Sequence, residues 1–334
     1  MKLDTGKINF SIGGQFGSEG KGVLNSWLSL TNHIDIAISR ASSNAGHTMY
    51  RDGKKYILKY LPVSSIMNDR SMIYLCHGAI IHPPTLLTEI AQFDIDPNRI
   101  HIHPMCAIIT SDDINHERDI TSSVSKIAST QSGVGSALAN KINRSSKLAK
   151  DIPELYPFIR ELNLHKYLDE GCTALMEIPQ GFSLSLSSEF YPHVTSREVT
   201  ISAALADADV HPSYLGKVAC CLRIYPIRVG NLIIDGVEVG NSGLFYDDSV
   251  ETSWEAIGVP AEKTTVTGRI RKVASFSMKQ YRRMLDIIRP DYILLNFANY
   301  MNREELIRLL DQLPEVSHLG FGPTYDKVVL NNIT

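Results

Sequence analysis

Long apolar runs, a marked excess of one charge, and paired cysteines are all missing from this chain of 334 residues. No run approaches the ~18 apolar residues of a membrane span. The first residues carry Asp4 and no apolar h-region, so no signal peptide is expected. A formal net charge of −3 gives no surface biased toward a polyanion, which argues against nucleic acid as a partner. Cys76, Cys106, Cys172, Cys220 and Cys221 are odd in number and never spaced C-x-x-C. That pattern favours reduced, buried thiols over a disulfide framework or a zinc site. Internal repeats, low-complexity tracts and a clear linker are also absent. The expectation is a soluble intracellular enzyme, with length enough for one large α/β domain or two smaller ones.

What is present begins with Gly13-Gly-Gln-Phe-Gly17-Ser18-Glu19-Gly20-Lys21-Gly22. The strand-like run Lys7–Ile12 leads in, and Val23, Leu24, Trp27 and Leu28 lead out at helical spacing. Strand, glycine loop and helix together aim backbone N–H groups at a phosphate, and Lys21 adds a point charge. The stretch departs from G-x-x-x-x-G-K-[ST] twice: five residues separate Gly14 from Gly20, and Gly22 stands where a hydroxyl is required. A flexible surface loop is the alternative, disfavoured because both flanks fit.

Strands are expected at 34–39, 55–61, 71–76, 173–178, 223–230 and 291–297, with helices at 85–93, 158–168, 275–288 and 302–313. Their alternation predicts an α/β fold, a mainly parallel central sheet with helices on both faces. Asn44-Ala-Gly46-His47-Thr48 follows a strand end, where ligands of such sheets bind. His47 there suits a general acid near neutral pH, or is a surface histidine in a turn. His101 and His103 alternate on a short strand without a third ligand, so they are expected to face solvent. Ser129–Gly135 gathers hydroxyls and glycines suited to a second phosphate. Lys141, Arg144 and Lys147 follow on an expected helix face, which is otherwise simply solvated. Tyr191–Ser196 is a polar, turn-rich segment. Thr264–Lys272 packs three cations among hydroxyls, which fits a small carboxylate or phosphate, or a solvated basic hairpin. Asn302, three residues before Glu305, is expected to cap the last long helix.

Taken in order, these segments resemble the adenylosuccinate synthetase family from Gly13 to about Leu330. The first loop is similar to G-Q-W-G-D-E-G-K-G, and Asn44–Thr48 to N-A-G-H-T. Tyr191–Ser196 resembles Y-P-Y-V-T-S, and Arg228–Gly230 resembles R-V-G. Thr267–Arg271 is similar to T-G-R-x-R, and Gly322-Pro323 to a late G-P. The resemblance implies a P-loop-like adenylosuccinate synthetase fold as a single domain over residues 1–334. It implies a carbon–nitrogen ligase that phosphorylates O6 of a 6-oxopurine nucleotide and then displaces the phosphate with L-aspartate. By the same resemblance, Ser18, Lys21, His47 and Gln180 are catalytic. Ser18, Asn44, Thr130, Arg144, Gln180, Thr195 and Arg269 hold the nucleotide, with Arg144 crossing a homodimer interface. Thr267, Arg269 and Arg271 grip aspartate. The triphosphate falls to Gly17, Glu19, Gly20, Lys21, Gly22, Gly46, His47, Thr48, Phe297, Asn299, Gly322 and Pro323. Ser18 and the Gly46 carbonyl touch Mg²⁺.

Two departures bear on the substrates. The family has aspartate where this chain has Ser18; a serine hydroxyl is a poor base and a weak metal ligand, but is shorter and can accept from an amino group at purine C2. This points to dGMP, as in the phage branch of the family, with N6-succino-2-amino-2′-deoxyadenylate as product for 2-aminoadenine DNA and the host cytoplasm as location. Asn296-Phe297-Ala298-Asn299 stands where the family has T-K-x-D, whose aspartate selects GTP. Asn299 both donates and accepts and Phe297 offers a stacking face, so ATP or dATP is the expected donor. The alternatives are an ordinary synthetase using IMP and GTP, a P-loop switch protein, and a non-catalytic nucleotide-binding relative.

Overall fold

The computed structural model describes residues 1–119, 121–265 and 267–332; Val266 of the Thr264–Lys272 segment therefore lies outside the described residues. Strand β1 (Ile8–Gly13) is buried along its whole length and lies at the middle of a nine-stranded sheet. On one side of it follow Leu215–Arg223, Tyr292–Asn296, His318–Gly320 and Val328–Leu330. On the other follow Ala174–Gly181, Ile36–Ser39, Met72–Leu75 and Ile100–Ile102. Every neighbouring pair is parallel except the last two strands at the C-terminal edge.

Helices cover both faces, as the alternation of elements predicted. Ile8, Phe10, Ile12, Met176, Cys220, Leu222 and Leu295 form one face and pack against Tyr281, Met284 and Ile288 of the helix Met278–Ile288. Leu175, Ala219, Cys221 and Leu294 form the other and meet Leu24 and Leu28 of α1 (Lys21–Thr31). Fully burying each such leucine stabilises the fold by roughly 1.5–3 kcal/mol.

Several elements differ from expectation. The central strand Leu215–Arg223 was not anticipated, because from Val218 to Arg223 it is buried on both faces and shows no alternation. The strand expected at 223–230 is two pieces: the central strand ends at Arg223, and Ile227–Arg228 belongs to a separate three-stranded sheet. The helix expected at 158–168 is confined to Leu164–Asp169, after a 3₁₀ segment Pro153–Phe158. The helix that carries Lys141 ends at Ile142, and Arg144 adopts φ 63°, so Lys141, Arg144 and Lys147 share no helix face. His101 and His103 are half-buried rather than solvent-facing, and the His103 ring packs edge-on against His77. Asn302 does cap the helix Arg303–Leu310, accepting from Glu305 N–H at 3.0 Å.

Candidate active site

The carboxyl ends of the parallel strands converge on one crevice, as open α/β sheets require. Gly13, Gln180 and Gly181, Arg223, Asn296 and Gly320 all stand at strand ends on that side. The crevice has two chambers. The first, about 460 Å³, is lined by the glycine loop from Gly17 to Gly22 apart from Glu19, and by Asn44 to Thr48, Thr267, Arg271, Phe297, Gly322 and Pro323. The second, about 330 Å³, is lined by Ser129, Thr130, Gly135, Thr195 and Arg228 among others. Phe16, Asn44, Thr130, Gln180, Leu184 and Val229 line both and form the waist between them.

The glycine loop is shaped by Glu19. Its carboxylate is fully buried and accepts from the N–H groups of Gln15 at 3.1 Å and Gly17 at 2.7 Å, and pairs with Lys21 at 3.1 Å. Glu19 thus sits behind the loop rather than in the chamber. Lys21 also donates to the Gln180 carbonyl at 2.6 Å, which joins loop and waist. A Cβ on Gly22 would lie 1.8 Å from the Thr48 carbonyl oxygen. The hydroxyl-bearing residue of an ordinary P-loop has no room there, so the glycine after Lys21 reflects the packing of α1 against the strand His47–Arg51. Gly20, at φ 89°, would drive a Cβ to 2.1 Å from Asn296 Nδ2. Ser18 is exposed toward the chamber at φ 58°, with its carbonyl accepting from Arg223 at 3.2 Å.

His47 begins a β-hairpin rather than lying in a loop (His47–Arg51 with Lys54–Leu58). Its side chain is mostly covered, keeping 14% exposure, with Nδ1 at 3.8 Å from Glu177 Oε2 and Nε2 buried without a partner. Burial, and secondarily the nearby Lys21 ammonium, lower its pKa from 6.5 to about 3. At that value the imidazole is neutral at pH 7 and offers one N–H donor and one nitrogen acceptor. Glu177, buried and not singled out beforehand, accepts from Asn25 Nδ2 at 2.7 Å, Val63 N–H at 3.0 Å, and both Ser64 N–H and hydroxyl at 2.8 Å. It ties α1, α2 (Val63–Met67) and the strand that leads to Gln180 into one support beneath His47. The signal for it was a charge inside an otherwise apolar strand.

Thr267 and Arg271 face the first chamber; burial lowers the Arg271 pKa to about 10, which leaves it cationic. Arg269 lines neither chamber. It donates to Thr267 Oγ1, to the Gly230 carbonyl and to the carbonyls of Ala128 and Ser129 at 2.8–3.1 Å, so it braces three loops. Arg223, also unanticipated, is fully buried beneath Phe297 with its guanidinium 4.1 Å from the ring centre. It grips Glu262 with both terminal nitrogens, at 2.6 and 3.2 Å. Asn299 is exposed and outside the chamber wall, where Asn296, Phe297 and Tyr300 stand instead. Arg144 is exposed and lines neither chamber.

For Mg²⁺, Ser18 and Gly46 both border the first chamber, and among the described residues no group of three or more His, Cys, Asp or Glu could hold a metal. That fits an ion held chiefly by phosphate oxygens and water, the usual habit of Mg²⁺, and does not fit a protein cage.

The adenylosuccinate synthetase family model matches residues 11–163 and 145–310. The N6-succino-2-amino-2′-deoxyadenylate synthase of Acinetobacter phage SH-Ab 15497 is 35% identical, across 92% of this chain and 89% of that protein. An adenylosuccinate synthetase of Pyrococcus horikoshii is 33% identical, across 81% of this chain and 78% of that protein. Among solved structures, the succinoaminodeoxyadenylate synthetase of cyanophage S-2L, bound to dGMP and dATP as an energy donor, superposes with TM-score 0.87 at 30% identity, covering 97% of this chain and 95% of that one. A crevice of two joined chambers built at these strand ends, and matches that span nearly the whole length, lead to one assignment: the chain belongs to the adenylosuccinate synthetase family.

Proposed function

We propose that this ligase joins L-aspartate to C6 of dGMP, driven by ATP or dATP, to give N6-succino-2-amino-2′-deoxyadenylate. The observation that carries the substrate is Ser18, exposed in the first chamber where the family's carboxylate would stand. A shorter hydroxyl leaves space beside purine N1 and C2 and accepts from the 2-amino group of guanine. The likeness to phage synthases named for this product supports the same reading.

The second chamber then takes the nucleotide. Thr130, Thr195 and the amides near Gly135 suit its phosphate, while Asn44 and Gln180 at the waist meet the base. The first chamber takes the triphosphate against the glycine loop, Thr48, Gly322 and Pro323. Its purine stacks on the face of Phe297 opposite Arg223, and among the described residues that line this chamber there is no aspartate to select guanine. Lys21 stands between loop and waist, where charge develops as the phosphoryl group crosses to O6. His47, neutral, hydrogen-bonds at the same point through Nε2. Bound Mg²⁺, held by Ser18, the Gly46 carbonyl and phosphate oxygens, would offset charge on the transferred group. Thr267 and Arg271 grip the aspartate carboxylates, with Arg269 holding their loop in place. Arg144 reaches the nucleotide phosphate of a neighbouring subunit in a homodimer, and the enzyme works in the host cytoplasm.

The test is turnover of dGMP, GMP and IMP, each with aspartate and either ATP or GTP. The expected order places dGMP with ATP first. Faster use of IMP than dGMP would overturn the acceptor, and GTP at least about tenfold better than ATP would overturn the donor.

A further inference from the structure

We propose that Glu262 receives the ammonium group of the amine donor and takes its proton, a role that rests on the ligase assignment above. A dicarboxylic amino acid brings two anionic ends and one cationic nitrogen. Thr267 and Arg271 in the first chamber suit the carboxylates. Cations repel an ammonium, and a neutral hydroxyl can accept a hydrogen bond from it but is too weak a base to take its proton; the nitrogen cannot attack C6 until that proton leaves. Among the described residues, Glu262 is the one carboxylate that lines the first chamber. Its counterpart in the second chamber, Glu117, is committed to the N–H groups of Gly133, Gly135 and Ser136 at 2.7–3.2 Å.

Glu262 is also placed with the carboxylate grip. The chain doubles back so that Arg271 N–H donates to the Glu262 carbonyl at 2.9 Å. Its carboxylate accepts from Arg223 at 2.6 and 3.2 Å and from the Tyr300 hydroxyl at 3.3 Å. An ionised carboxylate has about four acceptor sites, so these three leave one on Oε2. The side chain keeps 23% exposure although Arg223 beneath it has none. Arg223 also donates to the Ser18 carbonyl, which fixes the carboxylate relative to the glycine loop.

In the step, the ammonium gives one proton to Glu262 and its freed lone pair forms the N–C6 bond. The C6–O6 bond breaks, and phosphate leaves with that electron pair and takes a second proton from the nitrogen. The product keeps one N–H, and every proton is placed.

Glu262→Gln tests this with three readouts. Exchange of the βγ-bridge oxygen of ATP, measured with dGMP and without an amine, reports phosphoryl transfer alone. Turnover with aspartate reports the full reaction. Turnover with hydroxylamine, largely neutral at pH 7 and free of carboxylates, bypasses the base. The expected result is a loss of about 100-fold or more in kcat/KM for aspartate, with exchange and hydroxylamine turnover within about threefold of wild type. Equal losses in all three would overturn the role and leave Glu262 as a brace for Arg223. If Glu262→Gln fails to fold, Glu262→Asp is read in the same way, because it keeps a base one methylene shorter. Absence of exchange in the wild-type enzyme would instead defeat the ligase assignment itself.

Discussion

Ser18 exchanges a carboxylate for a neutral hydroxyl at the tip of the glycine loop, and the backbone there already stands at φ 58°. Ser18→Asp is expected to shift the kcat/KM ratio of IMP to dGMP by about 100-fold toward IMP, since a site's unpaired polar groups discriminate strongly; steady-state kinetics with both nucleotides checks it. His47 makes a second prediction through its pKa, lowered from 6.5 to about 3. In that interval the unfolded chain binds a proton and the folded chain does not. The stabilisation from this group is therefore complete above pH 6.5 and is lost as pH falls toward 3. His47→Asn should flatten the acid side of the stability curve in urea unfolding, whereas Lys21→Met should raise the His47 pKa in an NMR titration. The histidine was legible in the N-A-G-H-T segment, but its protonation state was not, because burial and the approach of Lys21 come from distant parts of the chain.

Helix α1 and the hairpin that begins at His47 touch where Gly22 meets Thr48. Gly22→Ser would restore the hydroxyl of an ordinary P-loop, yet its Cβ would collide with backbone that cannot yield like a side-chain tip. Overpacking of this kind costs typically about 1–3 kcal/mol. The expected outcome is a lower melting temperature together with weaker ATP binding, measured by thermal unfolding and calorimetry; stronger ATP binding would show that the loop tolerates the P-loop form. Elements with one solvent-facing side or a clear cap, such as Met278–Ile288 and the helix capped by Asn302, could be read from period and punctuation. Leu215–Arg223 could not, because burial on both faces from Val218 to Arg223 erases the alternation that marks a strand.

At the level of the whole molecule, Arg144 is exposed and lines neither chamber, and the proposed homodimer gives it a role. Arg144→Ala is expected to weaken dGMP binding by about tenfold or more, as loss of one charge-assisted contact to a phosphate implies. Mixing it with a Lys21→Ala protein should restore part of the activity, since a mixed dimer holds one site with both an intact glycine loop and a donated arginine. No recovery on mixing, with dimers present by sedimentation, would remove the cross-subunit role.

The order of the loops and the identity of Ser18 and Phe297 were set by the sequence alone, because short motifs carry their chemistry locally. That was enough to indicate a mainly parallel α/β sheet, several separate anion sites and a changed purine. Only the folded chain decided that Arg269 braces loops, that Arg223 lies under Phe297, and that among the described residues Glu262 alone puts a carboxylate into the first chamber. Those facts depend on which side chains consume one another's hydrogen bonds across long sequence separations. In the glycine loop itself, the residues announce phosphate chemistry, but packing of Gly22 against Thr48 explains why this loop lacks the hydroxyl of an ordinary P-loop.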